Sequence, residues 1–148
     1  MSSTSLPGIP LTVFEPPAAG LLDTSVFIAR ESERPIDELP ERVALSVVTI
    51  GELQLGVLHA SNDQTRVRRA ETLALARTAD PIPINEPVIG AWARLVSDCR
   101  SAGVHRAVKL TDALIAATAI DHGLPVVTQD EDYDQMARAH AGLRVVKV

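Results

Sequence analysis

The stretch Leu-Leu-Asp-Thr-Ser-Val-Phe-Ile-Ala, residues 21–29, decides the fold predicted for this chain. Leu21 and Leu22 indicate a buried strand, and Thr24 and Ser25 stand where a helix would begin. Asp23 therefore lies at a strand-to-helix junction, and open α/β sheets bind their ligands just beyond the carboxyl ends of the strands. The stretch predicts an α/β protein with a carboxylate at its ligand-binding edge.

Composition excludes several classes of protein. The 148 residues fit one domain, and 46% hydrophobic with 22% charged residues is typical of a soluble protein with a core. Aromatic residues make up only 3%, so a nucleic-acid site cannot depend on rows of stacking rings. The net charge of −5 argues against a basic nucleic-acid binder, unless clustered acids bind divalent cations. A single cysteine, Cys99, excludes a disulfide framework and a cysteine-based zinc site.

The apolar runs of the sequence are all shorter than the roughly 18 residues of a membrane span. The first basic residue is Arg30, so the N-terminus lacks the basic start of a secretory signal. We therefore expect a cytoplasmic protein without a membrane partner.

Strand and helix patterns alternate along the chain, which predicts a mainly parallel sheet with helices on both faces. Residues 1–19 are rich in proline and are predicted to be a mostly irregular arm, of which residues 11–14 could pack on the body formed by residues 20–148. Strands are predicted at 20–23, 43–48, 81–84, 126–128 and 144–148. Helices are predicted at 24–30, 49–60, 64–79, 86–102 and 112–122, with a single turn at 36–39 and a helix or turn at 130–139.

Four acids follow or flank the predicted strands: Asp23, Glu52, Asp112 and Asp130. Each also has an ordinary structural interpretation. Asp23 can cap the helix after it, and Glu52 completes a capping-box pattern with Thr49. Asp112 follows a capping threonine at 111, where a negative charge suits a helix N-terminus, and Asp130 falls in the first turn after a second capping-box pattern at 128–131.

Taken together, the four acids predict a metal site. Carboxylates that meet at one edge repel each other, and a hard divalent cation such as Mg²⁺ or Mn²⁺ is the compensation that their oxygens favour. One or two such ions activate water and neutralise phosphate oxygens, as in metal-dependent phosphodiester hydrolysis. Thr24, Ser25 and Thr128 stand where they can hydrogen-bond a carboxylate or a phosphate, and equally where they can act as caps.

Four motifs resemble those of the PIN domain, and specifically the VapC-type toxins of bacterial toxin–antitoxin pairs. They are Leu-Leu-Asp-Thr-Ser at 21–25, Ser-Val-Val-Thr-Ile-Gly-Glu-Leu-Gln-Leu-Gly at 46–56, Leu-Thr-Asp-Ala-Leu-Ile-Ala-Ala-Thr-Ala at 110–119 and Val-Val-Thr-Gln-Asp-Glu-Asp-Tyr at 126–133. Their order and spacing match the family, and with the helices between them they cover residues 20–148. The arm at 1–19 is longer than is usual in the family.

The resemblance implies a three-layer α/β/α sandwich and a Mg²⁺- or Mn²⁺-dependent endoribonuclease that cuts tRNA or ribosomal RNA and so arrests translation. It implies that Asp23, Glu52, Asp112 and Asp130 are the catalytic and metal-binding acids, with Asp132, just before Tyr133, as a fifth metal-binding candidate. It also implies a VapB-type antitoxin, which blocks the groove and often inserts a basic residue among the acids, and a homodimer.

Basic residues on the groove rim would meet the phosphates of the RNA substrate. Lys109, close to Asp112 in sequence, is the main candidate. Arg30, Arg34 and the arginines at 66, 68 and 69 are secondary ones, because arginines on a polar helical face commonly just contact solvent.

Three other hypotheses compete with the nuclease hypothesis. A haloacid-dehalogenase-type, Mg-dependent phosphatase also places an aspartate after its first strand, but it requires a second one at position 25, which is Ser25. A receiver domain requires a paired acid cluster before its first helix and a phosphoacceptor on a third strand, and the chain has neither. The third is a PIN-like fold used only as an RNA- or protein-binding module, which would have no need of all four acids.

Overall fold

The computed structural model describes residues 3–6, 9–12 and 17–148. Its strands and helices, in chain order, are β1 (Ser3–Leu6), β2 (Ile9–Thr12), β3 (Ala19–Leu22), α1 (Thr24–Glu31), β4 (Arg42–Ala44), α2 (Val47–Leu58), α3 (Asp63–Arg77), α4 (Glu86–Ser101), α5 (Leu110–Asp121), β5 (Val126–Thr128), α6 (Asp132–Ala139) and β6 (Val145–Lys147). A short 3₁₀ turn, His105–Ala107, precedes α5.

Four parallel strands form the central sheet in the order β4-β3-β5-β6. Successive side chains of a strand point to opposite faces of the sheet, and the two central strands show this alternation. Leu21 and Val126 contribute to the core shared with α4, α5 and α6. Leu22 and Val127 contribute to the core shared with α1, α2 and α3. The sheet thus lies between two helical layers, and the predicted three-layer sandwich is confirmed.

The two central strands approach each other closely at Gly20. A Cβ atom at this position would lie 2.5 Å from Cγ2 of Val127 and 3.1 Å from Cγ of Pro40. Glycine at position 20 therefore lets β3 and β5 pair in the register that brings Leu21 opposite Val126. This register sets Asp23, directly after β3, beside the residues that follow β5.

Two predicted elements were wrong. Residues 36–39 form no helical turn. The strand predicted at 81–84 is reduced to one parallel bridge between Ser46 and Ile82. Pro81 and Pro83 flank the bridge and lack the backbone N–H that a longer ladder requires.

The arm also differs from its prediction, because β1 and β2 pair as an antiparallel two-stranded ribbon instead of forming an irregular segment. The side chains at 11–14 lie outside the described residues, so their predicted packing is untested. The division of the chain into an arm and a domain at residue 20 stays a prediction. In the part of the chain that the structure describes, every helix is too short or too polar to cross a membrane.

Candidate active site

Asp23 stands at the carboxyl end of β3, where it is also the N-cap of α1. Only 2% of its surface is exposed. Its Oδ2 atom accepts hydrogen bonds from the hydroxyl of Thr128 at 3.0 Å and from the backbone N–H of Ser25 at 3.4 Å. Its Oδ1 atom accepts a hydrogen bond of 2.8 Å from the hydroxyl of Tyr133. Buried polar groups are normally hydrogen-bonded, and this carboxylate is satisfied at both oxygens.

The hydroxyl groups of Ser25 and Thr128 form a hydrogen-bonded chain that ends at Asp23. Because the Thr128 hydroxyl donates to Asp23, the Ser25 hydroxyl donates to Thr128 Oγ1 across 3.1 Å. Ser25 Oγ accepts in turn from the backbone N–H of Gln129, at 3.0 Å. The backbone N–H of Asp130 donates to Thr128 Oγ1 at 2.9 Å, which fixes the turn after β5. The turns after the two central strands are therefore tied together, and Asp23 and Asp130 lie on the same edge of the sheet.

Glu52 reaches this edge from α2. Its Oε1 atom accepts a hydrogen bond of 2.7 Å from the hydroxyl of Thr24, which also lies 3.1 Å from the hydroxyl of Thr49. The capping-box interpretation of Glu52 was wrong, since α2 begins two residues earlier than predicted and its N-cap is Ser46, whose side chain accepts from the N–H of Val48. The Glu52 side chain is therefore turned toward the start of α1.

Asp112 lies in the first turn of α5, as predicted, but the N-cap of this helix is Lys109 and the proposed cap at Thr111 was wrong. Burial, followed by the charges of Asp23, Glu52 and Asp132, raises the pKa of Asp112 to about 6, whereas the charge of Lys109 opposes the rise. The hydroxyl of Tyr133 lies 2.8 Å from Asp23 Oδ1 and 3.5 Å from Asp112 Oδ1, so α5 brings Asp112 close to Asp23.

Asp130 and Asp132 flank the start of α6, which begins at Asp132 and not at Asp130 as predicted. Burial raises the pKa of Asp130, with further contributions from the charges of Asp23 and Asp132, while Lys109 and Arg34 lower it. Lys109 Nζ lies 3.9 Å from Asp132 Oδ2, and both side chains are largely exposed. Lys109 thus stands on the rim of the acidic edge.

The oxygen atoms of this site suit a divalent cation, because Mg²⁺ and Mn²⁺ favour oxygen ligands. Within residues 17–148, where side chains are described, no three acidic, histidine or cysteine side chains enclose a common point as a metal cage would. Mg²⁺ is commonly held by one or two carboxylates, with water and substrate phosphate completing the shell. Asp23 and Asp112, which lie on either side of the Tyr133 hydroxyl, are the pair of carboxylates that this mode of binding would use.

Two contributors to the site were missed by sequence reasoning. In the sequence Tyr133 is only the aromatic residue after an acid, yet its hydroxyl contacts Asp23 and lies 3.5 Å from Asp112 Oδ1. Thr49 was interpreted as a helix cap, yet it is buried beside Thr24. The only signal in the sequence was a polar aromatic residue where a purely apolar one would fill the core.

The fold and its acidic edge define a class of protein. The family model described as "PIN domain" matches residues 20–139. Ribonuclease VapC8 of Mycobacterium tuberculosis is 74% identical over 100 residues, which cover 68% of this chain and 89% of the relative. Ribonuclease VapC5 of the same organism is 42% identical over 134 residues, covering 89% of this chain and 97% of the relative. The chain therefore belongs to the PIN-domain family, in its VapC branch.

A solved structure gives the same result. The crystal structure of VapBC-5 from Mycobacterium tuberculosis, a member of the VapBC family of toxin–antitoxin systems, contains a chain that superimposes with a TM-score of 0.80 at 39% identity. The match covers 89% of this chain and 100% of that chain. The complex of VapBC from Salmonella typhimurium bound to DNA superimposes with a TM-score of 0.72 at 19% identity, which supports the fold alone.

Proposed function

We propose that this protein is a metal-dependent endoribonuclease toxin that is neutralised by a cognate antitoxin. The observation that carries the proposal is the buried carboxylate of Asp23, held at both oxygens and linked through Tyr133 to Asp112. Capping of α1 needs only the contact with the backbone N–H of Ser25, so the hydroxyls of Thr128 and Tyr133 hold the carboxylate beyond what capping requires. The relatives named as ribonucleases support RNA as the substrate.

The acids would hold the cation, with Asp23 and Asp112 as the central pair and Glu52, Asp130 and Asp132 around them. When bound, Mg²⁺ or Mn²⁺ supplies Lewis acidity toward a phosphate oxygen and lowers the pKa of a coordinated water. The hydroxyl of Thr24 holds the carboxylate of Glu52, and the hydroxyl of Thr128 holds that of Asp23. The protein contributes fixed geometry and a concentrated negative charge that a divalent cation would neutralise.

The substrate would be positioned by basic groups on the rim. Lys109 is 74% exposed at its side chain and stands over Asp132, so it can move to a phosphate oxygen without leaving a buried partner unsatisfied. Arg34 is near enough to lower the pKa of Asp130. Arg69 lines the groove next to Glu52 and donates to the carbonyl oxygen of Gly56 at 2.6 Å. Phosphate contacts of this kind orient RNA without reading its sequence.

The same groove suits a VapB-type antitoxin. It runs between α1 and α2, and its lining combines the apolar side chain of Ile28 with the acids Glu31 and Glu52. Leu55 and Leu58 are exposed on α2 nearby. An amphipathic helix can bury an apolar face in such a groove while a basic residue meets the acids. The known complexes of VapBC proteins support this partner.

Metal-dependent RNA cleavage by the purified chain, freed of its antitoxin, tests the function. Total cellular RNA is incubated with Mg²⁺, Mn²⁺ or EDTA, and Asp23→Asn is run beside Asp63→Asn. Asp63 is the matched control, because it also lies at the start of a helix but its side chain is 97% exposed and only pairs with Arg66. We expect discrete fragments that require metal, persist in Asp63→Asn and vanish in Asp23→Asn.

Two outcomes of this assay would contradict the proposal. Fragments that survive EDTA would show that the acids do not work through a cation. RNA that is bound but not cut under any metal, with equal binding by Asp23→Asn, would favour the non-catalytic binding module. The homodimer implied by the family resemblance is part of the proposal, and light scattering of the antitoxin-free chain during gel filtration tests it through the molar mass.

A further inference from the structure

Tyr133 is the buried hydroxyl group that lies between the two central acids. Its ring is fully buried in α6, and its hydroxyl donates to Asp23 Oδ1 at 2.8 Å. The same oxygen lies 3.5 Å from Asp112 Oδ1, at the outer limit of a hydrogen bond. The Tyr133 hydroxyl therefore lies between the carboxylate of Asp23, at the end of β3, and the carboxylate of Asp112, at the start of α5.

Packing fixes this hydroxyl in place. The ring of Tyr133 belongs to the core that contains Leu21, Ile115 and Met136, so β3, α5 and α6 all surround it. Tyrosine has few rotatable bonds, and a ring held on all sides cannot withdraw its hydroxyl from the acids. Because the ring is anchored in the same core as β3 and α5, it ties the positions of Asp23 and Asp112 to each other.

The electrostatic setting makes the hydroxyl a donor to the acids. An ionised carboxylate only accepts hydrogen bonds, so the phenolic O–H is the donor in the contact with Asp23. Two carboxylates this close repel each other, and the positive end of one O–H dipole between them reduces that repulsion. The charge of Lys109 also opposes this repulsion at Asp112, but its side chain is largely exposed, where solvent screens it.

We propose that Tyr133 is a positioning residue, whose hydroxyl holds Asp23 and Asp112 at the spacing at which they receive a divalent cation. This inference rests on the metal site of the proposed function. Groups that hydrogen-bond metal-ligating carboxylates orient those ligands, and their loss typically weakens metal affinity by about 10- to 100-fold. Tyr133 is fully buried, so it acts through the two acids and not by touching RNA.

The alternative role of Tyr133 is simple core packing, in which the hydroxyl is satisfied only because it is buried. Tyr133→Phe separates the two roles, since it keeps the ring and removes the oxygen. Thr118→Val is the matched control. Thr118 is also fully buried and lies on α5 with Asp112, but its hydroxyl donates to the carbonyl oxygen of Leu114 and not to an acid.

The test is calorimetric titration of the full chain, free of antitoxin and RNA, with Mn²⁺. We expect Tyr133→Phe to raise the Kd for Mn²⁺ by about 10-fold or more, and Thr118→Val to leave it unchanged. An equal Kd for wild type and Tyr133→Phe overturns the positioning role, as does an equal loss in Thr118→Val. Wild-type protein that binds no Mn²⁺ overturns the metal site itself, and the inference with it.

A second measurement decides the question if Tyr133→Phe does not fold. The chain contains a single tyrosine, so growth with 3-fluorotyrosine labels position 133 alone. The fluorine resonance should broaden as substoichiometric Mn²⁺ is added and should shift with Mg²⁺. In Asp112→Asn, the same Mn²⁺ concentration should leave it sharp. A resonance that ignores both ions in the wild-type chain, while calorimetry shows binding, places the ion away from Tyr133 and overturns the inference.

Discussion

Asp112→Asn should stabilise the metal-free protein while abolishing RNA cleavage. Burial and the charges of Asp23, Glu52 and Asp132 raise the pKa of Asp112 from 3.8 to about 6, so its ionised form is disfavoured in the folded state. This difference in the pKa of Asp112 corresponds to a loss of about 3 kcal/mol in the free energy of unfolding at neutral pH. Asp112 is only partly buried, and solvent screening reduces the figure to about 1–2 kcal/mol. Asparagine removes this repulsion without changing the shape of the side chain.

The pH dependence gives the sign of the effect. A carboxyl group with a raised pKa binds extra protons in the folded state, so its favourable contribution is complete below pH 3.8 and is lost as the pH rises through about 6. The gain from Asp112→Asn should therefore be largest above pH 7 and should nearly disappear at pH 4. Asp130, whose pKa is raised by burial and by Asp23, contributes in the same direction in both proteins.

Thermal unfolding in EDTA at pH 7.5 and pH 4 measures this effect. For a chain of this size, about 1–2 kcal/mol raises the unfolding midpoint by about 2–8 °C. Asp63→Asn is the control, and it should show no such gain because its side chain is exposed. Saturating Mg²⁺ should raise the midpoint of the wild type by binding to the folded state, and should raise that of Asp112→Asn less. A midpoint for Asp112→Asn that is unchanged or lower at pH 7.5 would refute the reasoning.

Three further changes have defined outcomes. Thr128→Val removes the hydroxyl that donates to Asp23 and accepts from the N–H of Asp130. The rate of RNA cleavage should therefore fall by about 10-fold or more under limiting Mg²⁺ and recover partly at high Mg²⁺. Full activity at limiting Mg²⁺ would contradict the role assigned to Thr128. Gly20→Ala places a methyl group against the side chain of Val127 and should cost about 1–3 kcal/mol in urea unfolding, whereas an unchanged midpoint would mean that β3 and β5 separate freely. Cys99 is buried, and burial followed by the nearby Asp98 raises the pKa of its thiol, so Ellman's reagent should react with it at pH 8 only after urea unfolds the chain.

The alternation of strands and helices could be predicted because each central strand is a short apolar run followed by polar residues. The predicted strand at Val126–Thr128 is confirmed, and so is the predicted cap of α4 at Asn85, whose side chain accepts from the N–H of Val88. The start of α2 was misplaced because the β-branched run at 43–48 favours a strand throughout. Ser46 ends the strand early by capping the helix, and at this point the backbone also bridges to Ile82, a partner 36 positions away that no local pattern indicates.

The acids of the candidate site could be predicted as a set, because each stands near the end of a strand or the start of a helix. The partners of those acids could not. Tyr133 and Thr128 meet Asp23 only through the pairing of β3 with β5, and no local pattern encodes which hydroxyl a strand pairing will deliver. The direction of Glu52 likewise depends on Thr24, which lies 28 positions away in the sequence.

The hydrogen bonds of Asp23 have a consequence for biosynthesis. The hydroxyls of Thr128 and Tyr133 stand 105 and 110 positions after it, so a nascent chain carries this acid long before it carries either partner. At ordinary translation speeds of about 5–20 residues per second, the delay is on the order of 5–20 s. A nascent chain that has not yet reached Tyr133 lacks a hydroxyl that holds Asp23, so we expect it not to form the acidic site.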